Sequence, residues 1–192
     1  MVAESARLVA DVHADIGECP VWDTRAGGLL WIDLPSGTVG RLREDPASGG
    51  WRAEHLLEVP GSIGAIVPAD DDGFLVATGV EIVRYDEFGW LPRVVARIDA
   101  DAARVKFNDG KCDPDGVFWV GTQTLTPGLF GGSLYRLERD GTMREMVTGV
   151  GISTASDGVL TVRISITWTQ LRRASMCSTS ILQTDRSTIA GV

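Results

Sequence analysis

Apolar positions in the first three quarters of this chain come in short clusters cut by Gly, Asp and Pro, and they hold no 3.6-residue helical spacing. Three segments repeat one plan: a turn ending in Gly, an apolar strand, an Arg-containing strand, then a third strand after an acidic or Gly-rich turn. The first runs from Gly28 through Leu29-Leu30-Trp31-Ile32-Asp33 and Thr38 to Arg43, then Trp51 to Leu56. The second runs from Gly73 through Phe74 to Thr78 and Ile82 to Asp86, then Arg93 to Ile98. The third runs from Gly116 through Val117 to Gly121 and Ser133 to Glu138, then Thr142 to Val147.

The anchor glycines 28, 73 and 116 stand 45 and 43 residues apart. Several short strands in a repeat of about 40–45 residues predict an all-β fold and a β-propeller. A sandwich or barrel also yields many short strands, but it does not require this recurrence. Six such units would need about 270 residues, so 192 residues hold material for about three to four blades: either the ring is incomplete or the fold is different.

Composition narrows the picture. With 44% hydrophobic and 23% charged residues the chain is of globular type. Its net charge of −8 repels phosphate backbones and excludes nucleic acid as an expected partner. Cys19, Cys112 and Cys177 are odd in number and form no CxxC pair, so neither a disulfide framework nor a thiolate zinc site is expected. Each reads as a small buried hydrophobe. The N-terminus carries an early acid and no apolar signal region, and no stretch approaches a membrane span. The expectation is a cytoplasmic protein with no membrane partner.

The run from Phe107 to Gly116 is the densest collection of chemically capable residues, with Asn108, Asp109, Lys111, Asp113 and Asp115 held by the turn-forming Gly110 and Gly116. It reads as a loop able to present oxygen ligands and a cation to a small molecule. Its second half, Asp113-Pro114-Asp115-Gly116, equally fits an ordinary hairpin turn. Near the N-terminus, Gly17-Glu18-Cys19-Pro20-Val21-Trp22 places one carboxylate at the lip of a strand.

These motifs keep their order with Leu30-Trp31-Ile32-Asp33, Gly121-Thr122 and Gly132-Ser133-Leu134-Tyr135-Arg136. Over about residues 8–153 the chain resembles the SMP-30/gluconolactonase/regucalcin family, six-bladed propellers with a divalent cation in a central channel. The resemblance implies that Glu18 binds the metal, that Asn108 contacts substrate, and that Lys106 stands where the family usually has a substrate-contacting Arg. An ammonium is a point charge where a guanidinium is a planar fork, so that departure weakens bidentate recognition. The loop Gln123-Thr124-Leu125-Thr126 lacks the acidic residue that some members place there.

An all-oxygen site of this kind suits Ca²⁺, Mg²⁺ or Mn²⁺ and accommodates Zn²⁺. The implied activity is metal-dependent hydrolysis of a small-molecule sugar lactone, with no catalytic residue assigned. A non-catalytic divalent-cation-binding propeller fragment is the alternative, and a related arylesterase-like propeller is a third reading.

The family pattern stops after Gly151-Ile152-Ser153, dividing the chain into blades over 1–153 and an aberrant tail over 154–192. Where members continue with Asn-Gly-Leu and Trp-Ser-Pro-Asp-Gly, this chain reads Thr154 to Val162. Back-translating that stretch with one A restored before the Thr codon gives a frame compatible with Asn-Gly-Leu-Gly-Trp-Ser-Pro-Asp-Gly. Two further segments, Ser165–Thr169 and Ser175–Ile181, regroup to strings typical of the next blade. The expectation is a single-nucleotide loss near codon 154, with a second metal ligand replaced at Thr154, a third lost beyond Val192, and activity impaired.

Overall fold

The computed structural model describes residues 8–86, 92–126 and 131–151. The tail from Thr154 onward, Cys177 and the frame-shifted segments lie outside the described residues. Twelve strands occur in the described part: β1 (Gly17–Asp23), β2 (Gly28–Asp33), β3 (Thr38–Asp45), β4 (Gly50–Glu58), β5 (Ile63–Pro68), β6 (Gly73–Thr78), β7 (Glu81–Asp86), β8 (Arg93–Arg97), β9 (Val105–Cys112), β10 (Phe118–Thr124), β11 (Gly132–Leu137) and β12 (Met143–Val150). They form three four-stranded antiparallel sheets, each a meander in chain order: β1 to β4, β5 to β8, and β9 to β12. Among the described residues no helix is long and apolar enough to cross a membrane.

The repeat therefore carries four strands where the sequence pattern displays three. The extra member of each unit is the first: β1, β5 or β9. The sheets touch through these inner strands, β5 lying against β9 and β1 against β5. The Phe107 to Gly116 run, read from sequence as a loop, is strand up to Cys112 and turn only after it. Its charged composition hides a ladder in which Lys111 pairs with Trp119 and Lys106 with Gln123.

The turn that follows belongs to Asp113. Its carboxylate accepts the amides of Asp115 (3.0 Å) and Val117 (2.9 Å) and the Trp119 indole N–H (2.9 Å), while Gly116 takes a φ of 76°. The hairpin-turn reading of Asp113 to Gly116 is the one the structure realises.

Burial follows position. The middle sheet is covered on both faces, so every residue of β5 and all of β6 except Thr78 are buried, which explains why Ile63 to Val67 and Phe74 to Ala77 read as nearly continuous small and apolar runs. The outer strand β4 mixes half-buried and exposed positions, with Leu57 its one buried residue. Leu30, Ile32, Ile66, Val76, Phe107, Phe118 and Val120 share one continuous core that joins the three sheets.

Candidate functional site

The three inner strands share an irregularity. The β1–β2 ladder slips between Glu18 and Val21, the β5–β6 ladder between Ile63 and Ala65, and the β9–β10 ladder where Asp109 faces Gly121 and Phe107 faces Thr122. Asn108 is the residue left over in that last slip, and Gly64 the one left over in the middle sheet. Such β-bulges bend a strand and re-aim side chains. Two of the three flank residues singled out from sequence, Glu18 and Asn108.

At the first bulge Cys19 adopts a left-handed backbone, φ 53°, a region that a non-glycine residue enters only where its surroundings hold it. The surroundings are visible. The Cys19 thiol is buried, accepts the Ile66 amide at 3.4 Å, and points at the carbonyls of Ile66 (3.4 Å) and Gly110 (4.0 Å). One sulfur thus lies where β1, β5 and β9 meet. Burial pushes this thiol up to about 12, with Ile66 opposing the rise and the charges of Asp109, Lys111 and Glu18 acting on it as well. Glu18 from β1 and Asp109 and Lys111 from β9 are therefore gathered around the same point. The Glu18 side chain is exposed.

Lys106 and Asn108 are both half-buried on β9. Lys106 donates from Nζ to Ser62 Oγ at 3.3 Å. Between them Phe107 is buried, donates its amide to Gly79 O (2.7 Å) and packs edge-on against Tyr135 with ring centroids 6.4 Å apart. Of the chain's 18 basic residues only Lys106 and Lys111 are lysines, and both lie on β9.

Sequence reasoning did not single out Ser62 or Gly64. Gly64 is where β5 comes closest to β9: a Cβ there would lie 2.6 Å from the Phe107 carbonyl carbon and oxygen and 2.8 Å from the Asn108 amide nitrogen. A lone Gly inside an apolar strand run was the available signal, since it marks a bulge or a close backbone approach.

For a divalent ion, the described residues contain no group of three or more His, Cys, Asp or Glu side chains able to enclose one. Glu18 carries an exposed carboxylate, an oxygen donor of the kind that hard cations take.

A family model described as the SMP-30/Gluconolactonase/LRE-like region matches residues 16–157. The chain belongs to this family. Within it, a 6-deoxy-6-sulfogluconolactonase from Pseudomonas putida is 33% identical over 150 residues, covering 78% of this chain and 50% of the relative. A pentonolactonase from Haloferax volcanii is 35% identical over 149 residues, covering 75% and 46%. A regucalcin from Xenopus laevis is 32% identical over 150 residues, covering 74% and 48%. The chain spans about half the length of these curated family members.

Among solved structures, a regucalcin from Agrobacterium tumefaciens described as a calcium-binding protein superposes with a TM-score of 0.65 at 21% identity, covering 76% of this chain and 48% of that one. A luciferin-regenerating enzyme gives 0.63 at 24%, covering 72% and 47%. These likenesses establish the fold. The three described sheets are blades of the family's β-propeller, and β1, β5 and β9 are their inner strands.

Proposed function

We propose that this chain carries the substrate-facing part of a sugar lactone hydrolase, with Lys106 and Asn108 holding the sugar and Glu18 contributing to a divalent-cation site. The observation that carries the reading is the convergence of the Glu18 strand and the Lys106–Asn108 strand on β5, each with its bulge beside the residue in question. The lactonase relatives at 33% and 35% identity support the substrate class. A soluble, cytoplasmic setting belongs to the same proposal.

In such a hydrolysis a water oxygen adds to the lactone carbonyl carbon, the ring C–O bond breaks, and a proton ends on the departing ring oxygen, leaving an open hydroxy acid. When bound, a divalent ion would supply Lewis-acid polarisation of the carbonyl and charge stabilisation for the oxyanion. Asn108 offers an amide with both donor and acceptor, and Lys106 offers a cation with three donors, matching the hydroxyls and carbonyl oxygen of a sugar acid. No residue is assigned as the proton carrier.

The alternative is a propeller fragment that binds a cation without turnover. Both readings are decided by measuring gluconolactone hydrolysis at constant pH with and without Mn²⁺, Zn²⁺, Ca²⁺ or Mg²⁺, alongside calorimetric binding of gluconate and of each ion. The expected result is gluconate binding that falls about tenfold in Lys106→Ala and in Asn108→Ala, and Mn²⁺ binding in roughly the millimolar range that disappears in Glu18→Gln. Turnover with any of the four ions would favour the hydrolase over the binding fragment. Failure to bind gluconate would remove the substrate assignment, and ion binding without turnover would favour the fragment.

A further inference from the structure

The two residues proposed to face the sugar are held from outside their own blade. Lys106 Nζ donates to Ser62 Oγ, 44 positions earlier in the chain and on the segment that enters β5. Two residues further on, Gly64 presses against the bulge that contains Asn108, with space for a hydrogen and none for a methyl group. Two positions at the entrance to one inner strand thus meet the next: Ser62 with Lys106, and Gly64 with the peptide joining Phe107 to Asn108.

Both supports are themselves fixed. The Ser62 carbonyl accepts the Thr78 hydroxyl at 3.0 Å, and Ile63 donates its amide to Leu34 O at 3.1 Å. Phe107, between the two site residues, is tied to Gly79 at the end of the β6–β7 hairpin. The second blade therefore grips the third from two of its own connections.

We propose that Ser62 and Gly64 are positioning residues for ligand recognition: Ser62 fixes the Lys106 ammonium, and Gly64 lets the Asn108 bulge sit at the depth where its amide meets the sugar. The proposal rests on the reading of Lys106 and Asn108 as sugar-binding residues. Its chemical basis is the compactness of the ammonium group. A lysine on a flexible four-carbon stem has no orientation of its own, whereas a guanidinium brings a rigid fork, so a lysine at this position needs a fixed acceptor to define where its remaining donors point.

Having only two lysines gives the test a clean readout. In protein labelled with ¹³C at lysine Cε, two side-chain signals are expected, and Lys106→Arg assigns them by removing one. Ser62→Ala should move the Lys106 signal and leave that of Lys111 in place, with the melting temperature and Mn²⁺ binding unchanged. Gluconate affinity should fall about fivefold, the size of one lost hydrogen bond. Ser62→Thr keeps a hydroxyl and should restore both the signal and the affinity.

Gly64→Ala should displace the Asn108 amide cross-peak and weaken gluconate binding. Should that variant fail to fold, Ser62→Ala and Ser62→Thr carry the test alone. A Lys106 signal indifferent to Ser62→Ala, or an affinity that falls together with Mn²⁺ binding and melting temperature, overturns the positioning role. Gluconate that leaves the wild-type Lys106 signal unmoved instead overturns the sugar-binding reading, whatever Ser62→Ala does to that signal.

Discussion

Asp33 ends β2 as a receptor for backbone donors, accepting the amides of Ile16 at 2.9 Å and Asp15 at 3.2 Å. Burial on its own raises this carboxyl, but those two amides and the Ser36 hydroxyl outweigh it and hold the group below its ordinary 3.8. A carboxyl depressed on folding adds stability above its unfolded value and loses it as pH falls through the lower folded value. Asp33→Asn should therefore cost about 1–3 kcal/mol near neutral pH. The difference from wild type should shrink below about pH 4, and urea unfolding between pH 3 and pH 7 measures both limbs.

Cys19 makes a second residue-level expectation. A thiol that is buried and pushed up to about 12 presents almost no thiolate at pH 8. Iodoacetamide should leave Cys19 unlabelled in the folded chain and label it in urea, as peptide mass spectrometry reads directly. Glu18, Lys106 and Asn108 could be picked out as candidates in the sequence because their motifs keep an order along the chain. Ser62 was not legible, because its partner lies one whole repeat away and a serine after Gly61 has no local pattern to mark its role.

At the scale of elements, the second to fourth strands of each blade could be read from alternation and turn residues; of the inner strands only β1 was marked, by the strand lip at Glu18, and β5 and β9 were not. Two causes account for this. The bulges break the two-residue period within β1, β5 and β9, and β9 carries two lysines, an asparagine and an aspartate where a strand signal expects branched or aromatic residues. Glycine compensates where these strands crowd. A Cβ on Gly110 would lie 2.7 Å from the Trp119 carbonyl oxygen and 2.9 Å from the Phe118 ring. Gly110→Ala should thus destabilise by about 1–3 kcal/mol. Gly50→Ala, whose nearest neighbour would be Ser48 Oγ at 3.4 Å, should stay within about 0.5 kcal/mol. Thermal unfolding of the pair separates crowding from a general cost of replacing glycine in a strand.

Over the whole molecule, successive blades are joined by contacts spaced about one repeat along the chain. Cys19 reaches Ile66, and Arg25 reaches the carbonyls of Asp71 and Gly73 while holding Asp23 at 3.2 Å. Asp23 is 1% exposed, so removing its cation leaves a buried charge with only backbone donors. Arg25→Ala should cost about 3–5 kcal/mol, and adding Asp23→Asn should recover part of that loss. Urea unfolding of the single and double variants gives the coupling. The repeat period that announced the propeller in the sequence is thus also the step at which one blade grips the next.

The bulge in β9 has a consequence for how this blade could change. Val105 to Phe107 and Asp109 to Cys112 pair with β10 one for one, and Asn108 is supernumerary to that count. A ladder knitted without residue 108 can exchange that residue and keep its stitches. On the proposed sugar-binding reading, specificity at this position is open to variation with the ladder intact, a latitude that the nearby Phe107, tied to Gly79, and Gly110, crowded by Trp119 and Phe118, do not share.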